Sequence, residues 1–234
     1  MFKRRAQSSG PIELVVAVIV MMASMGLAFT VFSSSESAKC INQLHSQVRG
    51  VETALIDVAL GSPSTTRVVD LELSKCGDLN VEAVRVVYYN KPSFCQRCPS
   101  TGKGCWVLEP LTYSAKTQAY AVVGDASTCV NIPGQIELQD DSGASSCNVN
   151  NGEGHISGNA CPQNPKGEDE GDNCGIPADA IDGPKVLTLS KVSGSERLYK
   201  VRISKTYGTA AGVPTLNICF QTKQEAVLQE RGLN

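Results

Sequence analysis

The feature that most constrains this chain is one stretch, Pro11 to Phe32, which reads PIELVVAVIVMMASMGLAFTVF and follows the basic cluster Lys3-Arg4-Arg5. From Leu14 to Phe32 no residue carries a charge. Wound as a helix rising 1.5 Å per residue, that run reaches roughly 28 Å, close to the ~30 Å hydrocarbon core of a bilayer. The spacing predicts a transmembrane segment over 14–32. By the positive-inside tendency the flanking cations stay in the cytoplasm, which places everything after Phe32 outside the cell.

Glu13 opens the apolar run. A carboxylate there has to be paired, neutralised or carried out to the headgroups. It is therefore either a headgroup-level residue or a charge that meets a positive group on a neighbouring copy of the same helix.

A secretory signal peptide places its small-residue cleavage site after a short apolar body. Here the body is longer, and the small residues Ala6, Ser8, Ser9 and Gly10 precede it. With Arg4-Arg5-Ala6, then Gln7-Ser8-Ser9, then Glu13, the N-terminus resembles the class III signal peptide of type IV pilins. More narrowly, it is similar to the precursors of archaeal pilins and archaellins, over about residues 1–60. The resemblance implies a membrane peptidase that cuts on the cytoplasmic side after a small residue following two basic ones. It implies a cut between Ala6 and Gln7, a leader over residues 1–6 and retention of the apolar segment. That family usually carries its glutamate fifth in the mature chain, whereas Glu13 is seventh from Gln7. A cut between Ser8 and Ser9 makes it fifth, and one between Gly10 and Pro11 makes it third.

A second helical signal follows the membrane run. Ile41, Leu44, Val48, Val51, Leu55 and Val58 repeat at an average period of 3.5 and form an apolar seam. Asn42, Gln43, Ser46, Gln47, Arg49 and Glu52 fill the other side. Gly61-Ser62-Pro63 supplies a stop. Residues 7–62 are thus expected to form a long helix, apolar all round in its first half and amphipathic in its second, the second half packing on a globular domain.

After Ser64 the pattern changes to short, valine-rich runs bounded by turn residues, including Arg67 to Leu73, Val81 to Tyr89, Cys105 to Leu108, Ala119 to Val123 and Ile136 to Leu138. Val186 to Val192 and Leu198 to Ser204 flank Ser193-Gly194-Ser195 and read as a hairpin, and Thr215 to Thr222 gives a last strand. Without strong helical segments between them, these strands predict an antiparallel sheet. The expected fold class is α+β: a long N-terminal helix packed on a mainly antiparallel, disulfide-rich β domain over 63–234.

An acidic loop over 139–183 interrupts the β pattern. It holds Asp140, Asp141, Glu153, Glu168, Asp169, Glu170, Asp172, Asp179 and Asp182 among Gly, Asn and Pro, and it has too few large apolar residues for a core of its own. The loop is the candidate for an exposed, variable surface. Glu168-Asp169-Glu170 with Asp172 offers oxygen ligands to calcium but lacks the alternate-position spacing of a calcium loop, so the solvated-loop reading is preferred and no metal is expected.

All ten cysteines, Cys40, Cys76, Cys95, Cys98, Cys105, Cys129, Cys147, Cys161, Cys174 and Cys219, lie after Phe32. That distribution points to disulfides in an oxidising compartment. Zinc at Cys95, Cys98, Cys105 and Cys129 lacks a second tight pair, and a redox role for Cys95-Gln96-Arg97-Cys98 lacks a βαβ setting. Local closure favours Cys95 or Cys98 with Cys105, and Cys161 with Cys174. Cys40 would staple the helix to the sheet through Cys76 or Cys219.

Catalysis has little footing. His45 and His155 sit in no ligating or general-base motif, and no nucleophile elbow or phosphate loop occurs. No enzymatic activity and no cofactor are expected. A net charge of -2 without a basic stripe gives no reason for nucleic acid. No Asn-x-Ser or Asn-x-Thr sequon occurs, although archaeal filament subunits are often glycosylated.

The resemblance therefore implies a structural pilin of an archaeal type IV pilus-like filament used for adhesion. It would sit in the cell membrane as a single-pass protein before assembly and in an extracellular homo-oligomeric helical filament afterwards. Its partners would be the prepilin peptidase and the pilus assembly machinery, with Glu13 acting in assembly and the surface ligand unknown. The alternatives are an uncleaved, membrane-anchored binding or adhesion protein and a minor, filament-priming pilin.

Overall fold

The seam of the amphipathic half is where the main core begins. In the computed structural model, Leu44, Val48, Val51, Leu55 and Val58 are buried together with Ala54 and Ala59, and Ile41 at the upper end is half-buried. The structure describes residues 10–73, 75–76, 79–99, 104–114, 116–117, 119–141, 147, 154–162, 174, 176–191, 198–207 and 212–223, without the side chains of 10–13, 28–37, 76, 178 and 182–184.

Helix α1 runs Gly10–Leu60. It is followed by β1 (Thr66–Glu72), β2 (Lys75–Cys76), β3 (Leu79–Tyr89), β4 (Cys105–Ser114), β5 (Ala119–Val122), β6 (Thr128–Val130), β7 (Glu137–Asp140), β8 (Gly154–Ser157), β9 (Ile181–Lys191), β10 (Leu198–Tyr207) and β11 (Pro214–Thr222). The chain divides into two compact units, Met1–Cys40 and Ile41–Asn234.

In the second unit the strands form two sheets. The smaller has the order β1-β10-β11-β7, and the larger has the path β5-β4-β3-β9-β8 with β2 beside β3 and β6 beside β4. Side chains alternate across the larger sheet, as the two-residue period of a strand requires. Val84 and Val86 of β3 and Leu187 and Leu189 of β9 join the helix seam, together with Tyr199, Val201 and Phe220 from the smaller sheet. Val87, Tyr89 and Val186 point the other way, into a second cluster completed by Cys95, Ala160, Ile176 and Ala180. Both faces of the central strands are therefore covered, one by the helix and the smaller sheet, the other by disulfide-stapled loops.

The α1 terminus is fixed by a side chain from β10. The buried Lys205 ammonium donates to the Ala59 carbonyl at 2.7 Å and to the Gly61 carbonyl at 2.9 Å, supplying donors and a positive charge where a helix end lacks both. A Cβ at Gly61 would lie 2.7 Å from both the Asp57 carbonyl oxygen and Thr65 Oγ1. Glycine is needed at that stop for close approach.

Three expectations are corrected. The α+β class gives way to a mainly β architecture: among the described residues strand exceeds helix. The membrane-spanning first half is also overturned: among the described residues no helix is long and apolar enough to cross a membrane. The third correction concerns the late hairpin. β9 pairs with β3 and β8, and β10 pairs with β1 and β11, so each has both edges occupied and the two lie in different sheets. One pairing, β11 with β7, is parallel.

Candidate functional site

In the first unit, ten large apolar side chains between Leu14 and Leu27 are 41 to 70% exposed. They occupy successive positions, from Leu14, Val15 and Val16 to Met21 and Met22, and so surround the helix instead of lining one stripe. The one hydroxyl among them is turned inward, since Ser24 Oγ donates to the Val20 carbonyl at 2.5 Å. Around Gly26 an added Cβ would meet open space, and small residues of this kind let a neighbouring helix approach closely. A helix apolar on every side is stable only with that surface covered by other apolar matter.

The cleavage pair Ala6 and Gln7 lies outside the described residues, as do Ser8 and Ser9. Gly10, Pro11 and Glu13 are helical in backbone, and their side chains lie outside the described set. Glu153, Glu168, Asp169, Glu170 and Asp172 of the acidic loop are likewise outside it. Of the loop's described acids, Asp141 pairs with Arg202 at 3.4 Å, and Asp179 pairs with Lys91. The Lys91 ammonium, hydrogen-bonded to Asp179, holds that carboxyl below the ordinary carboxylate range.

Among the described residues four disulfides are defined with both partners: Cys95–Cys105, Cys98–Cys129, Cys147–Cys219 and Cys161–Cys174. The Cys95-Gln96-Arg97-Cys98 segment is thus divided between two bridges, and its sulfurs are not thiolates free for a metal or for exchange. Cys219, offered as a partner for Cys40, is bonded to Cys147 instead. Cys40 is itself disulfide-bonded, and the side chain of Cys76, the other partner offered, lies outside the described residues. Among the described residues no cluster of His, Cys, Asp and Glu could hold a metal ion.

The strand pairing also assembles a polar group that sequence reasoning missed. Arg85 of β3 stands opposite Glu109 of β4. The Arg85 Nε and Nη2 groups donate to Glu109 Oε2 at 3.0 and 2.5 Å, and Arg85 Nη1 donates to the Ala160 carbonyl at 2.9 Å. The Tyr89 hydroxyl donates to Glu109 Oε2 at 3.0 Å. Burial pushes that hydroxyl well above the ordinary tyrosine value, with Arg85 opposing and Glu109 reinforcing. The only advance signal was Arg85 itself, a charge inside a valine run whose neighbours on both sides are core residues. Its partner becomes identifiable only from the register. No family model matches the chain, and no curated protein and no solved structure matches it significantly.

Proposed function

We propose that this chain is a structural subunit of an archaeal type IV pilus-like surface filament, assembled by bundling the apolar N-terminal helices of many copies. The observation that carries this reading is the all-round exposure of large apolar side chains from Leu14 to Leu27. Full burial of an exposed side chain of this size is worth about 1.5–3 kcal/mol, so covering the roughly 60% of their surface that these ten still expose represents a gross gain on the order of 9–18 kcal/mol. That is of the same order as, or above, the roughly 4–15 kcal/mol of freedom lost when two molecules associate. Identical helices in a homo-oligomeric helical array would cover this surface. The second unit needs no neighbour, because its core is already closed by the residues of α1 from Leu44 to Ala59.

The basic-basic-small start at Arg4-Arg5-Ala6 supports processing between Ala6 and Gln7 by a prepilin peptidase. On this reading the subunit is held at the cell membrane until the assembly machinery transfers it to an extracellular filament that serves adhesion. Glu13 is neutralised during the transfer by the new amino terminus or by a neighbouring subunit. The chain acts by assembly and carries out no reaction.

The test is mass spectrometry of the amino terminus in sheared surface filaments and in washed membranes from the native host. A chain beginning at Gln7, Ser9 or Pro11 and abundant in the filaments is the expected result. The same processed chain at low copy number would identify a minor, filament-priming pilin. Intact Met1 confined to the membranes would overturn the reading in favour of an uncleaved, membrane-anchored binding protein.

A further inference from the structure

The second unit carries a cleft of about 290 Å³, at the small end of ligand pockets. Its floor is β4, through Val107 and Glu109. One wall is the turn after β3, with Phe94, Gln96 and Arg97, and the other is the connection from β5 to β6. We propose that this cleft binds a neutral, hydroxyl-rich ligand of about one sugar residue. The inference stands apart from the filament reading, since it rests on the second unit alone.

The frame is preorganised. The Cys98–Cys129 disulfide joins the two walls, and Cys95–Cys105 ties the turn to the start of the floor strand. Arg97 reaches across from one wall and donates to the Gly124 carbonyl on the other. A site already fixed in shape loses little freedom on binding.

The floor carboxylate has one oxygen in reserve. Oε2 of Glu109 accepts from Arg85 twice and from the Tyr89 hydroxyl. Oε1 has only a longer approach, 3.2 Å, from that same hydroxyl. A phenol has a single hydrogen to give, so Oε1 retains its capacity to accept from a ligand. Arg85 also offsets the carboxylate's charge, which leaves a cation little net attraction, while Arg97 at the wall opposes it. An anion would face the carboxylate directly. Neutral hydroxyls suit both groups, donating to Oε1 and accepting from Arg97 and the Gln96 amide.

The apolar part of the site matches a sugar as well. Phe94 stacks on Tyr89 with ring centroids 5.1 Å apart and planes 14° from parallel, and it keeps 37% of its surface exposed. It therefore offers a supported aromatic surface at the cleft for the C–H side of a pyranose ring. Among the described residues neither Gln96 nor Ser93, also in the lining, spends its side chain on a hydrogen bond within the protein.

The full chain, in a zwitterionic detergent without a sugar headgroup, can be titrated with the methyl glycosides of glucose, mannose and galactose, and separately with acetate and methylammonium, by saturation-transfer NMR. The expected result is saturable binding of at least one glycoside with a Kd of about 1 mM or tighter, and no saturable binding of either ion. Phe94→Ala and Gln96→Ala are each expected to weaken that binding about tenfold, with the melting temperature unchanged in Gln96→Ala. Gln96→Ala, at an exposed turn position, decides the matter if Phe94→Ala disturbs Tyr89. The proposal is overturned if no glycoside binds, if the glycoside binds Gln96→Ala as tightly as the native chain, or if acetate or methylammonium binds in its place.

Discussion

Arg85 and Glu109 are buried as a pair, which makes the loss of one member more damaging than the loss of both. Arg85→Met would leave the Glu109 carboxylate in the core with only the Tyr89 hydroxyl, and removing one partner of a buried ion pair typically costs about 3–5 kcal/mol. Arg85→Met with Glu109→Met should recover most of that loss. Denaturant unfolding followed through Trp106, the only tryptophan and a buried one, distinguishes the two variants, and equal destabilisation would refute the pairing argument. Glu82 gives a prediction of a different kind. Its carboxyl is raised, chiefly by burial, with Lys191 and the Tyr120 hydroxyl pulling it back. A raised carboxyl binds its proton more tightly in the folded state than in the unfolded state. Its favourable contribution is present below the ordinary glutamate pKa of about 4.3 and is lost as pH climbs from there through the raised value. Glu82→Gln should therefore unfold at higher denaturant than the native chain at neutral pH, with the difference shrinking toward pH 4. A difference independent of pH would show that Glu82 does not titrate in this window.

At the scale of elements, the helix shows most clearly what a pattern can and cannot convey. The 3.5-residue spacing from Ile41 to Val58 marked the buried side of α1 because a helix of this period puts those residues on one face. The valine runs located strands for the same kind of reason, since alternation places β3's Val84 and Val86 on one side and Val87 on the next. Alternation says nothing about which edge a strand joins. That is why Val186 to Val192 and Leu198 to Ser204 read as a hairpin although each is flanked by other strands. The Lys205 contact with the helix terminus was equally illegible, since it joins residues 144 and 146 positions apart. Two substitutions measure these contacts. Leu55→Ala removes a fully buried seam side chain and should destabilise the second unit by about 2–5 kcal/mol. Lys205→Met keeps the aliphatic stem but leaves the Ala59 and Gly61 carbonyls without a donor, and should remove about 1–3 kcal/mol. Unfolding midpoints within error of the native value would place these residues outside the energetic core.

For the whole molecule, the proposed assembly surface and the closed core fall in different units. The residues that close the second unit's core begin at Leu44, whereas the exposed apolar surface of the first ends, among described side chains, at Leu27. A substitution in the exposed run should thus leave the fold of the second unit intact while abolishing whatever covers the first. Ile19→Asp places a carboxylate in the middle of that run. Such a group in an apolar helical environment costs about 2.5–3.5 kcal/mol, and the penalty recurs at every subunit of an array. The expected outcome is an unchanged Trp106-detected unfolding curve together with loss of surface filaments in electron micrographs. Glu13→Ala should behave differently. On the proposed reading, removing the carboxylate leaves no charge for a neighbouring amino terminus to meet, so the expected outcome is unchanged cleavage and membrane association with fewer filaments. Normal filament numbers in Glu13→Ala would remove the assembly role from that residue. Normal numbers in Ile19→Asp would mean that the exposed helix is not the bundling surface.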